Sequence, residues 1–357
     1  MTEPADIYRA VETEVKSVLI GNDHVVEGLT VAALIRGHVL LEGVPGVAKT
    51  TVANLFARTT GLEYNRIQMT PDILPADITG TYVYREQTGE FELRRGPVFA
   101  NVVVADEINR ATAKTQSALL EAMQEGTVTV EGDTLALPEP FLVIATQNPI
   151  EMEGTFELPE AQRDRFDLKL RMDIPDRDEE AAMVDRFDDD PQLGPESVGQ
   201  VVDREDLLAA RETVADVHVA DAVREYILDV VAASRDSPDV AHGASPRATL
   251  TFLNVAKARA AIEGRDYVIP DDVKRFVGPV LEHRLVLSTE ADLGDVTPDD
   301  VVEDVLATVE PPSLDAVREA TASVEGAAVS DGGDPEDSLD GGAESDEDAG
   351  AGSDEGA

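Results

Sequence analysis

Lys49 and Thr50 close the segment Gly43-Val44-Pro45-Gly46-Val47-Ala48-Lys49-Thr50, which follows an apolar run and leads into a helical pattern. That context suits a phosphate-binding loop. Glycines let the backbone wrap with its N–H groups aimed at β- and γ-phosphate oxygens, and the N-terminus of the following helix adds partial positive charge. Lys49 would place a cation between those phosphates, and the Thr50 hydroxyl would ligate Mg²⁺. The expected ligand is ATP with Mg²⁺. One residue departs from the usual pattern, Ala48 standing where glycine precedes the lysine. Its methyl group fits if the backbone there keeps ordinary angles. Taken alone, the segment also reads as a glycine turn capping a helix.

Further polar residues follow apolar runs. Val102–Ala105 leads into Asp106-Glu107, 57 residues after Lys49. Asp106 suits holding a hydrated Mg²⁺, and Glu107 suits orienting and deprotonating the attacking water. In isolation such a pair is equally a solvated turn. Asn148 ends the run Val143-Ile144-Ala145-Thr146-Gln147. A neutral amide there can bond both a γ-phosphate and the lytic water, although Asn before Pro is also a common turn former. Arg163 and Arg165 lie in Leu158–Phe166, a short helix leading into a strand, and Arg247 follows Ser245-Pro246 at the opening of a helix. Each arginine could be half of a surface salt bridge. The functional reading aims these guanidiniums at a γ-phosphate, one from within the subunit and one from a neighbour.

Such residues need a scaffold that brings them to one edge. His38–Leu41, Asn65–Met69, Val102–Ala105, Phe141–Ala145 and Phe166–Arg171 are strand candidates. They alternate with helical stretches that include Lys49–Thr60 and Ala113–Gln124. The alternation predicts an α/β fold, a parallel sheet covered on both faces. Helical spacing over Pro4–Leu19 and Asp23–Arg36 precedes it. Two hairpins interrupt it, Gly80–Leu93 turning at Thr88-Gly89 and Thr127–Leu137 turning at Gly132-Asp133. After about Pro175 helical periodicity takes over, near Arg177–Phe187, Asp203–Val214, Ala220–Ser234, Pro246–Glu263 and Asp271–Leu285. The expected division is a nucleotide-binding core with N-terminal helices (1–175), a helical lid (176–319) and an acidic tail (320–357). The tail's Gly, Ser, Ala, Asp and Glu, without aromatic residues, predict disorder.

At 357 residues, 42% of them hydrophobic, the chain can fill the cores of about two domains. Lys plus Arg number 29 against 73 for Asp plus Glu, a net charge of −44. Twelve of those carboxylates lie in Glu325–Ala357, so the rest of the chain still carries about −32. Self-repulsion of that size is tolerable where salt screens charges within about 3 Å, as at 1 M. A halophilic cytoplasm is therefore expected, a generic acidic surface being the alternative. The charge also argues against general nucleic-acid binding. Zero cysteines exclude disulfides, thiolate metal sites and cysteine nucleophiles. The longest uncharged run, Pro140–Ile150, has eleven residues, against the roughly 18 a membrane helix needs. The acidic opening, Met1–Ala10, lacks the basic stretch of a secretory signal. A cytosolic protein without a membrane span is expected.

On these motifs the chain resembles the MoxR-type AAA+ ATPases of the helix-2-insert clade. The stretches that carry the likeness are His38–Thr51, Arg66–Gly80, Ala105–Glu125, Ala145–Phe166 and Gly243–Leu250, within a span of about 20–287. Such proteins commonly carry alanine where Ala48 stands. The resemblance implies an AAA+ P-loop sandwich followed by a helical lid, and an ATPase that yields ADP and phosphate. It implies a Walker A loop at Gly43–Thr50 with Thr51 beside it, a Walker B pair at Asp106 and Glu107, sensor 1 at Asn148 and sensor 2 at Arg247. An arginine finger for the adjacent subunit is implied at Arg165, with Arg163 the second choice. A ring, usually hexameric, is implied too. It would be a chaperone-like motor that matures or assembles protein complexes, metal or cofactor insertion included, with a von Willebrand factor A domain partner.

Magnesium chelatase motor subunits and replicative helicases share the two hairpins. A nucleic-acid motor, however, would want basic hairpin tips, and here Glu131 and Asp133 flank one turn while Arg85 sits beside Glu86 near the other, with Arg94 and Arg95 at its end. A non-catalytic nucleotide-dependent scaffold would be expected to lack a carboxylate at Glu107.

Overall fold

The computed structural model describes residues 3–149 and 156–315. The expected acidic tail lies outside them. In chain order the elements are α1 (Pro4–Lys16), α2 (Asp23–Leu34), β1 (Val39–Glu42), α3 (Lys49–Thr59), β2 (Tyr64–Gln68), α4 (Pro75–Thr79), β3 (Gly80–Arg85), β4 (Glu90–Arg95), β5 (Val102–Asp106), α5 (Ala113–Glu125), β6 (Thr127–Val130), β7 (Asp133–Ala136), β8 (Leu142–Gln147), α6 (Glu160–Arg163) and β9 (Leu168–Arg171). Then come α7 (Arg177–Asp189), α8 (Arg204–Asp216), α9 (Asp221–Asp236), β10 (Val240–His242), α10 (Pro246–Ile262), α11 (Pro270–Lys274), α12 (Val277–Leu281), β11 (Val286–Leu287), α13 (Thr289–Leu293) and α14 (Pro298–Thr308).

The five expected strands form one sheet in the order β2-β5-β8-β1-β9, every pair parallel. Its central strands β5 and β8 are buried on both sides, which is why they read as unbroken apolar runs. Alternation of side chains still sorts each strand between two cores. Val39, Leu41, Val102, Val104, Leu142 and Ile144 pack on the side of α1, α2, α3 and the C-terminal helices. Leu40, Val103, Ala105, Val143 and Ala145 pack on the other side, with Ile78 of α4 and Leu119 of α5. One step beyond Val104 and Ile144, the same alternation carries Asp106 and Thr146 to the α3 side. Leu55 and Phe56 seat α3 there, fully buried, each contributing about 1.5–3 kcal/mol of apolar transfer.

Both hairpins form, with one change of turn. Val130 pairs with Asp133, so the turn is Glu131-Gly132 and not Gly132-Asp133. Both turn residues have positive φ, 50° and 105°, the backbone that a two-residue hairpin needs to match the strand twist. The two hairpins are tied together, Thr81 donating to the Glu131 carboxylate at 3.2 Å and Tyr82 to that of Asp133.

The first four expected helices after Pro175 are α7 to α10. Asp271–Leu285 instead breaks into α11, α12 and a 3₁₀ turn. Pro279 has no N–H to offer the Arg275 carbonyl, so α11 cannot continue into α12 with an unbroken hydrogen-bond ladder. The β10–β11 ladder was not expected either. Phe166, read as the start of a strand, is buried two residues before β9 begins. At the end of β1, Glu42 meets Lys169 at 3.1 Å, and Arg171 links Glu282 at 2.9 Å and Asp299 of α14. Burial pushes the Glu282 carboxyl up to about 7 despite those cations. This cluster fixes the C-terminal helices against the residue that precedes Gly43.

Candidate active site

β1 ends at Glu42 and the chain turns through Gly43–Ala48 into α3. A side chain at Gly43 would lie 2.8 Å from the Met172 carbonyl, and Gly46 has φ 90°, so both positions need glycine. Ala48 does not keep ordinary angles: it adopts φ 65° and ψ 27°. That left-handed backbone costs an L-residue about 1–2 kcal/mol. The turn must reverse there for α3 to begin at Lys49. The Lys49 amine donates to Gly43 O and, at 3.0 Å, to Val44 O, so it lies over the loop where phosphate oxygens can take the place of those carbonyls.

A cavity of about 450 Å³ opens above the loop, lined by Pro45–Thr51 together with Asp106, Glu107, Gln147 and Asn148. The sheet brings them there: β8 lies between β1 and β5, with Glu42 level with Gln147 and Ala105 with Ala145. This is the crevice beyond the carboxyl ends of parallel strands, the usual ligand position in open α/β sheets. Thr50 Oγ1 is 3.5 Å from Asp106 Oδ2. A hydroxyl beside a carboxylate on the wall of this cavity could hold Mg²⁺, which takes few protein oxygens and leaves the rest to phosphate and water.

Glu107 follows β5 with φ 57° and ψ 54°. Such a backbone stores about 1–3 kcal/mol and is sustained by its surroundings. Here the support is Thr146, wholly buried: its hydroxyl accepts the Glu107 N–H at 2.9 Å and donates to Asp106 Oδ1 at 2.5 Å. Gln68 donates to Glu107 Oε2 at 2.8 Å, and Arg110 stands 3.4 Å from the same oxygen. The carboxylate is thus aimed into the cavity with one oxygen engaged. Asn148 is buried at the end of β8, on the cavity wall.

The sequence model of the ATPase family associated with various cellular activities (AAA) matches residues 38–168, and that of the AAA lid domain matches 232–305. Chaperone MoxR1 of Mycobacterium tuberculosis is 47% identical over 320 residues, 87% of this chain and 84% of the relative. The chain belongs to the MoxR family of AAA ATPases. YeaC of Bacillus subtilis, an uncharacterized protein, is 43% identical, covering 85% of this chain and 94% of its own length. A crystal structure from Cytophaga hutchinsonii, of a proposed ATPase, superposes with a TM-score of 0.80 at 39% identity, over 87% of this chain and 96% of that one.

In this MoxR-family chain the three arginines lie apart from the other site residues. Arg163, Arg165 and Arg247 do not line the cavity. Asp164, between the first two, accepts from Ser245 Oγ at 3.0 Å and from Arg284 Nε at 2.8 Å. Ser245 in turn caps α10 by accepting the Arg247 N–H at 3.2 Å. The opening of α10 is therefore anchored to the segment that bears Arg163 and Arg165.

Sequence reading missed Arg66, Gln68, Arg110 and Thr146. Arg66 and Gln68 flank Ile67, which packs in the opposite core, so both face the α3 side. The alternation along β2 was readable, but its pairing with β5 was not.

Proposed function

We propose that this chain is an ATP-hydrolysing, chaperone-like motor that works as a ring, hexameric by kinship, and matures or assembles client protein complexes. The observation that carries the reading is one cavity that gathers Lys49, Thr50, Asp106, Glu107 and Asn148 while the three arginines stand elsewhere. Loop N–H groups and Lys49 bind the β- and γ-phosphates, with Thr51 at the wall. Thr50 and Asp106 would hold Mg²⁺, which when bound neutralises phosphate charge. Glu107 takes the proton of the attacking water, and Asn148 orients that water against the γ-phosphate. Beside Lys49, the transition state calls for a second cation on the equatorial oxygens of the transferred group. A neighbouring subunit supplies it from Arg165, with Arg247 from the same neighbour because Asp164 ties the two segments together; Arg163 is the second choice for the finger.

The core is assigned to 1–175 and the lid to 176–319. A salt-rich cytoplasm suits the net charge of −44, and among the described residues no helix is long and apolar enough to cross a membrane. Client engagement, cofactor or metal insertion, and a von Willebrand factor A domain partner follow from kinship alone. If the site is shared, ATP turnover per subunit rises with protein concentration as rings form, and DNA or RNA adds nothing at high salt. A monomer whose turnover is unchanged by dilution sinks the ring, and salt-resistant stimulation by nucleic acid favours a motor of the helicase kind.

A further inference from the structure

We propose that Arg66 and the divalent cation compete for one oxygen, Asp106 Oδ2, so that Arg66 guards metal loading. The proposal rests on reading Thr50 and Asp106 as the metal ligands. Oδ1 of Asp106 is committed, since it accepts the Thr146 hydroxyl at 2.5 Å and Thr146 is wholly buried. Oδ2 is the oxygen that faces Thr50, at 3.5 Å. Arg66 occupies that same oxygen with two donors, Nε at 3.0 Å and an Nη beside it.

The strands explain why Arg66 reaches it. Gln68 of β2 pairs with Asp106 of β5, and Arg66, two residues earlier, shares Gln68's face. Asp106 has only 11% of its side chain exposed. It is a nearly buried carboxylate in a strongly acidic protein, and a cation beside Oδ2 offsets the cost of burying its charge. Arg66 is the cation on Oδ2. A Mg²⁺ ion needs near-octahedral oxygen ligands at about 2.0–2.1 Å and repels a guanidinium on the same oxygen. Arg66 can yield without backbone movement. Half of its side chain is exposed, and its Nη2 already donates to Gln68 Oε1 at 2.8 Å, a neutral partner to which it can retreat.

The probe is Mn²⁺, titrated into the full chain saturated with ADP at fixed KCl, with free Mn²⁺ counted by its paramagnetic resonance signal. Arg66→Met removes the competitor and should tighten Mn²⁺ binding about fivefold, the equivalent of a half-exposed ion pair worth about 1 kcal/mol. Arg66→Lys, which keeps the charge but not the two-pronged contact, should tighten it less. Unchanged or weaker Mn²⁺ binding in a folded Arg66→Met protein overturns the competition, weaker binding meaning that Arg66 orients Asp106 for the metal. Should Arg66→Met fail to fold, wild-type affinity in Arg66→Lys overturns it instead. Asp106→Asn tests the underlying reading separately: it should lose most Mn²⁺ affinity, and full retention would remove Asp106 from the metal site and the competition with it.

Discussion

Glu107→Gln should keep ATP binding while hydrolysis falls by about 10²–10⁴-fold, the usual worth of a positioned general base. The amide matches the carboxylate in shape and keeps an acceptor oxygen for Gln68, which now bonds Glu107 at 2.8 Å. The Glu107 N–H contact to Thr146, 2.9 Å long, is backbone and survives the change. Only the proton acceptor is lost. Steady-state phosphate release, measured beside nucleotide binding to the same protein, separates the two effects. Turnover equal to wild type would take Glu107 out of the mechanism.

Lys49→Ala should weaken ATP binding by about 30- to 4,000-fold, since removing one partner of a hydrogen-bonded charge pair costs about 2–5 kcal/mol and 1.4 kcal/mol is tenfold. The loop itself should persist. Its shape is set by Gly43, Gly46 and the left-handed Ala48, and α3 is seated by the buried Leu55 and Phe56. The loss should therefore show in equilibrium binding of a fluorescent ATP analogue and hardly at all in thermal unfolding of the nucleotide-free chain. Wild-type affinity in this variant would undermine the phosphate-loop reading.

Much of the site was legible because its residues end or follow unbroken apolar strands, and such strands point to a parallel sheet whose carboxyl edge binds the ligand. The supports were not. Thr146 looked like one more strand residue until β8 was placed between β1 and β5, where its hydroxyl meets both Asp106 and the Glu107 backbone. Arg66 and Gln68 were hidden for the same reason, because strand order is a property of the whole sheet. The conformation of Ala48 was not legible: the sequence names the methyl group, but only the loop's path into α3 dictates φ 65°. At the second hairpin the turn slipped one residue toward Glu131, where pairing of Val130 with Asp133 was decisive. Arg247 was legible only in part. Its motif was clear, but the pairing of Ser245 with Asp164, across 81 residues of sequence, which ties the opening of α10 to the segment bearing Arg163 and Arg165, was not.

The shared site is the central claim of the proposed function, and mixing two inactive variants tests it. Arg165→Ala keeps every group of its own cavity but offers no finger, whereas Glu107→Gln keeps the finger but cannot activate water. Each alone should hydrolyse ATP poorly. Mixed and allowed to exchange subunits, they form interfaces in which an intact cavity meets an intact Arg165, and ATPase activity should rise well above the sum of the separate proteins. Mixed rings, verified by size and composition, that recover no activity would contradict a site completed by the neighbour.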